Sequence, residues 1–177
     1  MIRVFDILLS LIGLVFLSPL LMFVFFIGLF DNLSLLFIQS RVGYNLKSFS
    51  LIKFRTMPKG VRSAGTHLVK DVKLSSFGYF LRRTKIDEIP QLLNVLFGDM
   101  SLVGPRPCLF NQNKLISERK KRGVFKVRPG ITGLAQINGI DMKTPTLVAK
   151  TDQKMIKSMS LYNYFYYIFK TIFKIIK

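Results

Sequence analysis

An adjacent acid pair, Asp87-Glu88, follows closely on Arg82, Arg83 and Lys85. A further arginine, Arg106, stands between Pro105 and Pro107. Carboxylates set among cations suit chemistry on a phosphate. One acid can attack the phosphorus or hold a divalent metal, while guanidinium groups neutralise the phosphoryl oxygens. The two prolines restrict the backbone on either side of Arg106, so its fork is aimed in a narrow range of directions. A third block, Arg128-Pro129-Gly130-Ile131-Thr132-Gly133, places a cation among small residues that let a backbone come close to an anion.

The elements that position these residues follow from periodicity. Ile89, Leu92, Leu93 and Leu96 recur at helical spacing. Pro90 is tolerated only in a first turn, which predicts a helix beginning between Thr84 and Asp87. Thr84 with Asp87 three residues on resembles a capping box. Two readings stand side by side. Asp87 either caps that helix or is presented at its N-terminus, where the dipole and free amides favour an anion. Leu74 to Leu81 reads as a short preceding helix, and Gly98-Asp99 ends the following one. Leu33 to Phe54 reads as strands about a Gly43-Tyr44-Asn45 turn. Met57 to Lys73 reads as a solvated loop or as a lid over a phosphate. Lys114 to Arg122 reads as a charged helix surface, solvated or facing lipid headgroups.

Composition narrows the setting. The 177 residues carry a formal charge of +18, yet half of them are hydrophobic. Nucleic-acid proteins this basic are seldom this apolar, so nucleic acid is not an expected partner. A protein on an anionic leaflet combines both properties, each basic side chain near that surface contributing roughly 1 kcal/mol. The single cysteine, Cys108, excludes an internal disulfide and any multi-cysteine zinc site. The single histidine, His67, has no serine or cysteine elbow beside it to make a triad.

From Val4 to Phe30 the chain is apolar apart from Asp6, long enough for a helix of about 40 Å. A hydrocarbon core needs about 20 residues. Ser18-Pro19 interrupts the run, and Pro19 removes the amide that would bond the Val15 carbonyl. A kinked span and a re-entrant helix that returns to the same leaflet both fit; sequence physics alone favours the span. At the other end, Lys170, Lys174 and Lys177 oppose Phe165, Ile168, Phe169, Ile172, Phe173 and Ile176. That basic, aromatic amphipathic helix seeks either a membrane surface or the domain core. Tyr162, Tyr164, Tyr166 and Tyr167 suit an interface under the first reading.

Taken in order, these blocks resemble the bacterial sugar transferases, the monotopic polyprenyl-phosphate phosphoglycosyl transferases. The matching pieces are Arg3-Val4-Phe5-Asp6, the apolar run with Ser18-Pro19, Gln39-Ser40-Arg41-Val42-Gly43, Lys53-Phe54-Arg55-Thr56-Met57, the Asp-Glu block, Gly104-Pro105-Arg106-Pro107 and Arg128 to Gly133. They span nearly the whole chain, from about Arg3 to Ile176.

The resemblance implies an α+β fold. A membrane helix, residues 1–30, would be re-entrant and broken at Ser18-Pro19, which reverses the preference for a span. A cytoplasmic catalytic domain, residues 31–177, would contain a short β-hairpin and several amphipathic surface helices. It further implies Asp87 as nucleophile and magnesium ligand, with Glu88 assisting the metal or the incoming phosphate. Arg82, Arg106 with its flanking Pro105 and Pro107, Arg128 and Gln136 would contact substrate. The implied reaction moves a sugar-1-phosphate from a UDP-sugar to polyprenyl phosphate at the cytoplasmic face of the bacterial inner membrane, initiating a cell-surface glycan. A homo-oligomer is compatible with the sequence. One departure stands out. Many members carry an arginine after the Asn-Gly that matches Asn138-Gly139; here Ile140 stands there, with Lys143 as a substitute.

Overall fold

The computed structural model of the chain describes residues 1–30, 35–57 and 74–176. The loop expected over Met57 to Lys73, with His67, lies almost wholly outside the described residues, as does Lys177.

Helix α1 runs without a break from Ile2 to Phe30, with Pro19 inside it. The expected break at Ser18-Pro19 is therefore not an interruption of the helix. The Ser18 hydroxyl donates to the Val15 carbonyl at 2.8 Å, the same carbonyl that Pro19 leaves without an amide. The helix is long and apolar enough to cross a membrane by length and composition. Most of its surface is open, with Val15, Phe16, Met22 and Phe23 among its exposed side chains.

Its remaining face is fastened to the rest of the chain. Arg3 donates to the carbonyls of Val95 (2.6 Å) and Met100 (3.1 Å). Asp6 is 2% exposed. Its Oδ1 accepts from the Ser101 hydroxyl, the Leu102 amide and the Tyr164 hydroxyl at 2.8–2.9 Å. A buried carboxylate is tolerated when donors surround it in this way. Further along, Gly13 lies against Leu92, where an added methyl would come to 3.3 Å. Val24 is buried with Phe54 and Leu81.

Strands β1 (Leu36–Val42) and β2 (Ser48–Phe54) form an antiparallel hairpin with Ser40 opposite Ser50. Phe49 and Leu51 alternate onto one face and are buried with Val95 and Met100. Helix α2 (Ser76–Arg83) starts at Ser75, whose hydroxyl accepts from the Gly78 amide. A single 3₁₀ turn, Ile86–Glu88, separates it from α3 (Gln91–Phe97). Asn94 of α3 extends the hairpin edge: its amide oxygen accepts from the Ile52 amide and its nitrogen donates to the Ser50 carbonyl.

Strand β3 (Ser101–Val103) pairs in parallel with β4 (Gly130–Thr132). Glycine is required at this crossing, because a Cβ on Gly130 would fall 1.9 Å from the Gly104 amide nitrogen. Helices α4 (Asn113–Lys121), α5 (Leu134–Ile137), α6 (Pro145–Lys157) and α7 (Leu161–Ile176) complete the chain. The mixed helix-and-strand architecture with a short hairpin agrees with expectation.

Two expectations change. Tyr164 and Tyr167 are buried against α1 and β3 residues, so half of the expected interfacial tyrosines belong to the core; Tyr162 and Tyr166 are exposed. Helix α4 is largely a charged surface, but Arg119 points inward and is buried.

Candidate active site

The capping-box reading of Thr84 does not hold. Thr84 ends α2, and its hydroxyl donates back to the carbonyls of Phe80 and Leu81. The helix expected to begin between Thr84 and Asp87 instead begins at Gln91, with Pro90 as its N-cap. Lys85 adopts a left-handed conformation (φ 61°), which reverses the chain after α2. Asp87 and Glu88 therefore occupy a tight turn between two helices. Asp87 is buried and makes no side-chain cap.

Asp87 is 4% exposed, and its Oδ1 has no hydrogen-bond partner. Burial pushes its carboxyl up to about 6, and the neighbouring Glu88 adds to this. Lys53, Lys85 and Arg82 pull the other way. The result is an ionised but poorly solvated carboxylate at neutral pH, surrounded by cations and unbonded at one oxygen. Glu88 is held differently. Arg106 Nη2 donates to its Oε1 at 2.7 Å. Burial opposes ionisation of Glu88, but Arg106 and then Lys85 outweigh it and hold the carboxyl below its usual range. The same contact raises the Arg106 guanidinium above its ordinary value.

Every residue of the turn that carries Arg106 is tied by a main-chain group. The Gly104 amide donates to the Thr132 carbonyl, and the Pro105 carbonyl accepts from the Gly130 amide. The Arg106 carbonyl accepts from Arg119 Nη1 at 2.8 Å. The Pro107 carbonyl receives a longer bond, 3.4 Å, from Arg41 Nη1, and the Cys108 carbonyl accepts from the Val42 amide.

The turn thus brings together Asp87, Glu88, Arg106, Pro105 and Pro107, with Arg82 close enough to act on Asp87. It also recruits two cations to which sequence reasoning assigned no role. Lys53, on β2, sits over the Phe37 ring and faces both acids; burial lowers its ammonium while Asp87 and Glu88 support it. Arg41, on β1, is lowered to about 10 by burial and by Arg106. Both lie in the Gln39–Gly43 and Lys53–Met57 blocks, and the folded hairpin brings Arg41 to the Pro107 carbonyl and Lys53 to the acid pair.

The remaining predicted residues are held elsewhere. Arg128 donates to the Gly98 carbonyl at 2.7 Å and stacks on Tyr44. It lines a cavity of about 380 Å³ of mixed character, with Arg3 and Lys126 beside Ile2, Val127 and Met155, next to the Gly104-Pro105 turn that leads to Arg106. Gln136 lies on α5, its side-chain nitrogen and oxygen buried without partners. Lys143 is an exposed loop residue facing Asp141. Ile140 packs against the core of Val42, Cys108, Leu115 and Val148, so this position is filled by an apolar side chain rather than left vacant.

Among the described residues there is no cluster of three or more potential metal ligands. A magnesium ion does not require one. It is commonly held by one or two carboxylates together with substrate phosphates and water. The unpartnered Asp87 Oδ1 fits that donor set.

The structure thus combines a buried carboxylate flanked by cations with an N-terminal helix long and apolar enough to cross a membrane. The chain belongs to the bacterial sugar transferase family, whose profile matches residues 1–177. It is 52% identical over 103 residues to the sugar transferase EpsL of Bacillus subtilis, covering 58% of this chain and 50% of that one. It is 35% identical to the exopolysaccharide production protein ExoY of Rhizobium meliloti, over 96% of this chain and 83% of that one. It is 37% identical to a UDP-glucose:undecaprenyl-phosphate glucose-1-phosphate transferase of Klebsiella pneumoniae, over 97% of this chain but 39% of the relative. The chain thus matches between two fifths and four fifths of the length of these relatives.

Proposed function

We propose that this protein is a phosphoglycosyl transferase that moves a sugar-1-phosphate from a UDP-sugar to a polyprenyl phosphate and releases UMP. The observation that carries this reading is the Asp87 carboxylate, buried, unbonded at Oδ1 and ringed by Glu88, Arg106, Lys53, Lys85 and Arg82. The Klebsiella relative, a UDP-glucose:undecaprenyl-phosphate glucose-1-phosphate transferase, supports it.

Asp87 attacks the sugar-bearing phosphorus of the donor. A bond forms between its Oδ and phosphorus, and the bond from phosphorus to the bridging oxygen breaks, so UMP leaves with that oxygen. A phosphate oxygen of the polyprenyl phosphate then attacks the same phosphorus and displaces Asp87. Splitting the transfer into two displacements lowers each barrier. Arg106 stays anchored on Glu88 while its remaining donors face the phosphoryl oxygens. Lys53 and Arg82 offset charge repulsion between Asp87 and the anionic donor. Arg128, Gln136 and Lys143, held away from the acid turn, would recognise parts of the donor beyond its reacting phosphorus. Asp87, with donor phosphates, would hold magnesium, whose charge stabilises the phosphoryl oxygens. Detergent-purified protein given a panel of UDP-sugars and undecaprenyl phosphate should release UMP with at least one donor, lose this in chelator and recover it with magnesium. Silence across the panel with magnesium present overturns the reading.

The membrane reading rests on α1. Asp6, Gly13 and Val24 each meet the catalytic domain, so the helix stays beside that domain through most of its length. A helix leaving the domain to cross about 30 Å of hydrocarbon would touch it at one end. This supports a helix that stays with one leaflet, bent at Pro19 rather than broken there, at the cytoplasmic face of the inner membrane, with α7's exposed Tyr162, Phe169 and Phe173 at the same interface. Tags on Met1 and Lys177 should then both react only from the cytoplasmic side. A periplasmic N-terminal tag would refute it. The product would initiate a cell-surface glycan.

A further inference from the structure

Arg119 and Asp152 make an ion pair that the chemistry above does not use. Both side chains are almost fully buried, at 2% and 0% exposure. Arg119 Nε donates to Asp152 Oδ2 at 2.9 Å, and Nη2 lies 2.8 Å from the same oxygen. The pair joins α4 to α6. Buried ion pairs are poor devices for stability, because desolvation offsets much of the attraction and a well-packed apolar pair does as well or better. A different reason for its presence is visible in the third arm. Arg119 Nη1 donates to the main-chain carbonyl of Arg106 at 2.8 Å.

That carbonyl lies at the centre of the tied turn. Its neighbours are fixed by main-chain bonds from β1, β4 and the β3–β4 crossing. Pro105 and Pro107 contribute no amide donors of their own, so the segment has few ways to hold itself. Arg106's own carbonyl is reached only by Arg119 among the described residues. A guanidinium can bond Asp152 along one edge and still present another nitrogen elsewhere; an ammonium cannot hold both geometries. Asp152 in turn locks the Arg119 rotamer. The chain of contacts runs Asp152, Arg119, Arg106 carbonyl, Arg106 guanidinium, Glu88.

We infer that Arg119, oriented by Asp152, is a positioning residue that fixes the direction of the Arg106 guanidinium for phosphate binding. This rests on the phosphoryl-transfer reading of the site. It concerns two buried residues on helices that carry none of the predicted site residues. A loss of Å-scale precision in a fixed charge lowers rate steeply even when every group is still present.

The test uses the full chain in detergent and an apolar replacement of the pair, Arg119→Met with Asp152→Leu. The melting temperature should stay near that of the wild type or rise, while kcat/KM falls at least tenfold. Reaction of Arg106 with phenylglyoxal, read by peptide mass spectrometry without substrate, should quicken several-fold as its hold on Glu88 loosens. In an Arg106→Ala background the same replacement should cost less than twofold, because the group it positions is gone. Wild-type turnover in the repacked variant, equal losses in both backgrounds, or unchanged labelling would each overturn the inference. Should the repacked chain not fold, Arg119→Lys keeps a charge facing Asp152 and carries the same three readouts. An inactive wild type with normal Arg106 labelling behaviour would count against the transferase reading instead, since labelling does not depend on turnover.

Discussion

Asp87→Asn retains the fold, loses transfer by on the order of a thousandfold or more, and is more stable than the wild type above pH 6. The first two outcomes follow from shape and charge. Asparagine occupies nearly the same volume, but its amide cannot form the bond to phosphorus. Donor alone should label the wild type with phosphosugar and leave the variant unlabelled. The third outcome follows from burial. The Asp87 carboxyl is raised from 3.8 to about 6 in the fold, so the folded protein holds a proton that the unfolded chain has already released. Stability is therefore fully present below 3.8, falls as pH rises through that window, and is level above about 6. Glu88, held below its usual range by Arg106, acts in the opposite direction on the acid side of this window, but Asp87→Asn retains Glu88, so the difference between the two proteins reports Asp87. The penalty is about 3 kcal/mol at most, from roughly 1.4 kcal/mol per pH unit. Thermal unfolding in chelator at pH 4 and pH 8 checks it: the stability of the wild type relative to Asp87→Asn should fall between the two pH values. Substantial turnover by the variant would remove Asp87 from its role. An identical pH response in both proteins would mean that Asp87 is not the buried, destabilised group described.

A buried carboxylate held at the expense of stability explains why the turn around it is so heavily tied. It also separates what was legible in the sequence from what was not. The Asp87-Glu88 pair, Arg106 between prolines and the amphipathic α7 were readable, because residue type and spacing carry their own chemistry. The hairpin was readable from alternation and the Gly43 turn. The capping box at Thr84 was misread because the same threonine hydroxyl can bond forward to an amide or back to a carbonyl, and sequence does not choose between them. The unbroken α1 was missed for a related reason: Ser18 supplies the bond that Pro19 withholds. Lys53 and Arg41 carry no local signal of their role, since only the folded chain brings Lys53 near Asp87 and Glu88 and Arg41 near Arg106 and Glu88. Arg119 had a signal. It lies four residues after the buried Leu115, and Asp152 lies four after the buried Val148 and is the only acid after Asp141. Two opposite charges on the inner faces of neighbouring helices were a pairing to be found, but their meeting required tertiary structure.

Arg106→Lys should lose at least about 30-fold in kcat/KM although the charge is kept. The reason lies in how the guanidinium is shared. One nitrogen, Nη2, is committed to Glu88 at 2.7 Å, and no other hydrogen bond is made by this side chain among the described residues. The side chain is 44% exposed while Glu88 is 14% exposed, so the arginine reaches from its buried anchor toward open space. Its remaining donors are placed where a phosphate can take them. A lysine has a single charged nitrogen on a flexible stem. It can satisfy Glu88 or the phosphate, but it cannot hold one as a brace while binding the other in a planar fork. Breaking such a pair costs on the order of 2 kcal/mol or more, which corresponds to roughly 30-fold in rate. Glu88→Gln should follow in the same direction with a smaller loss, because it removes the charge of the brace and keeps a hydrogen-bond acceptor. The two losses should be less than additive when combined, as both act on the aim of one guanidinium. Steady-state UMP release by the three variants measures all of this. Near-full activity in Arg106→Lys, or strict additivity with Glu88→Gln, would mean that charge alone matters at position 106 and that the brace has no part in catalysis.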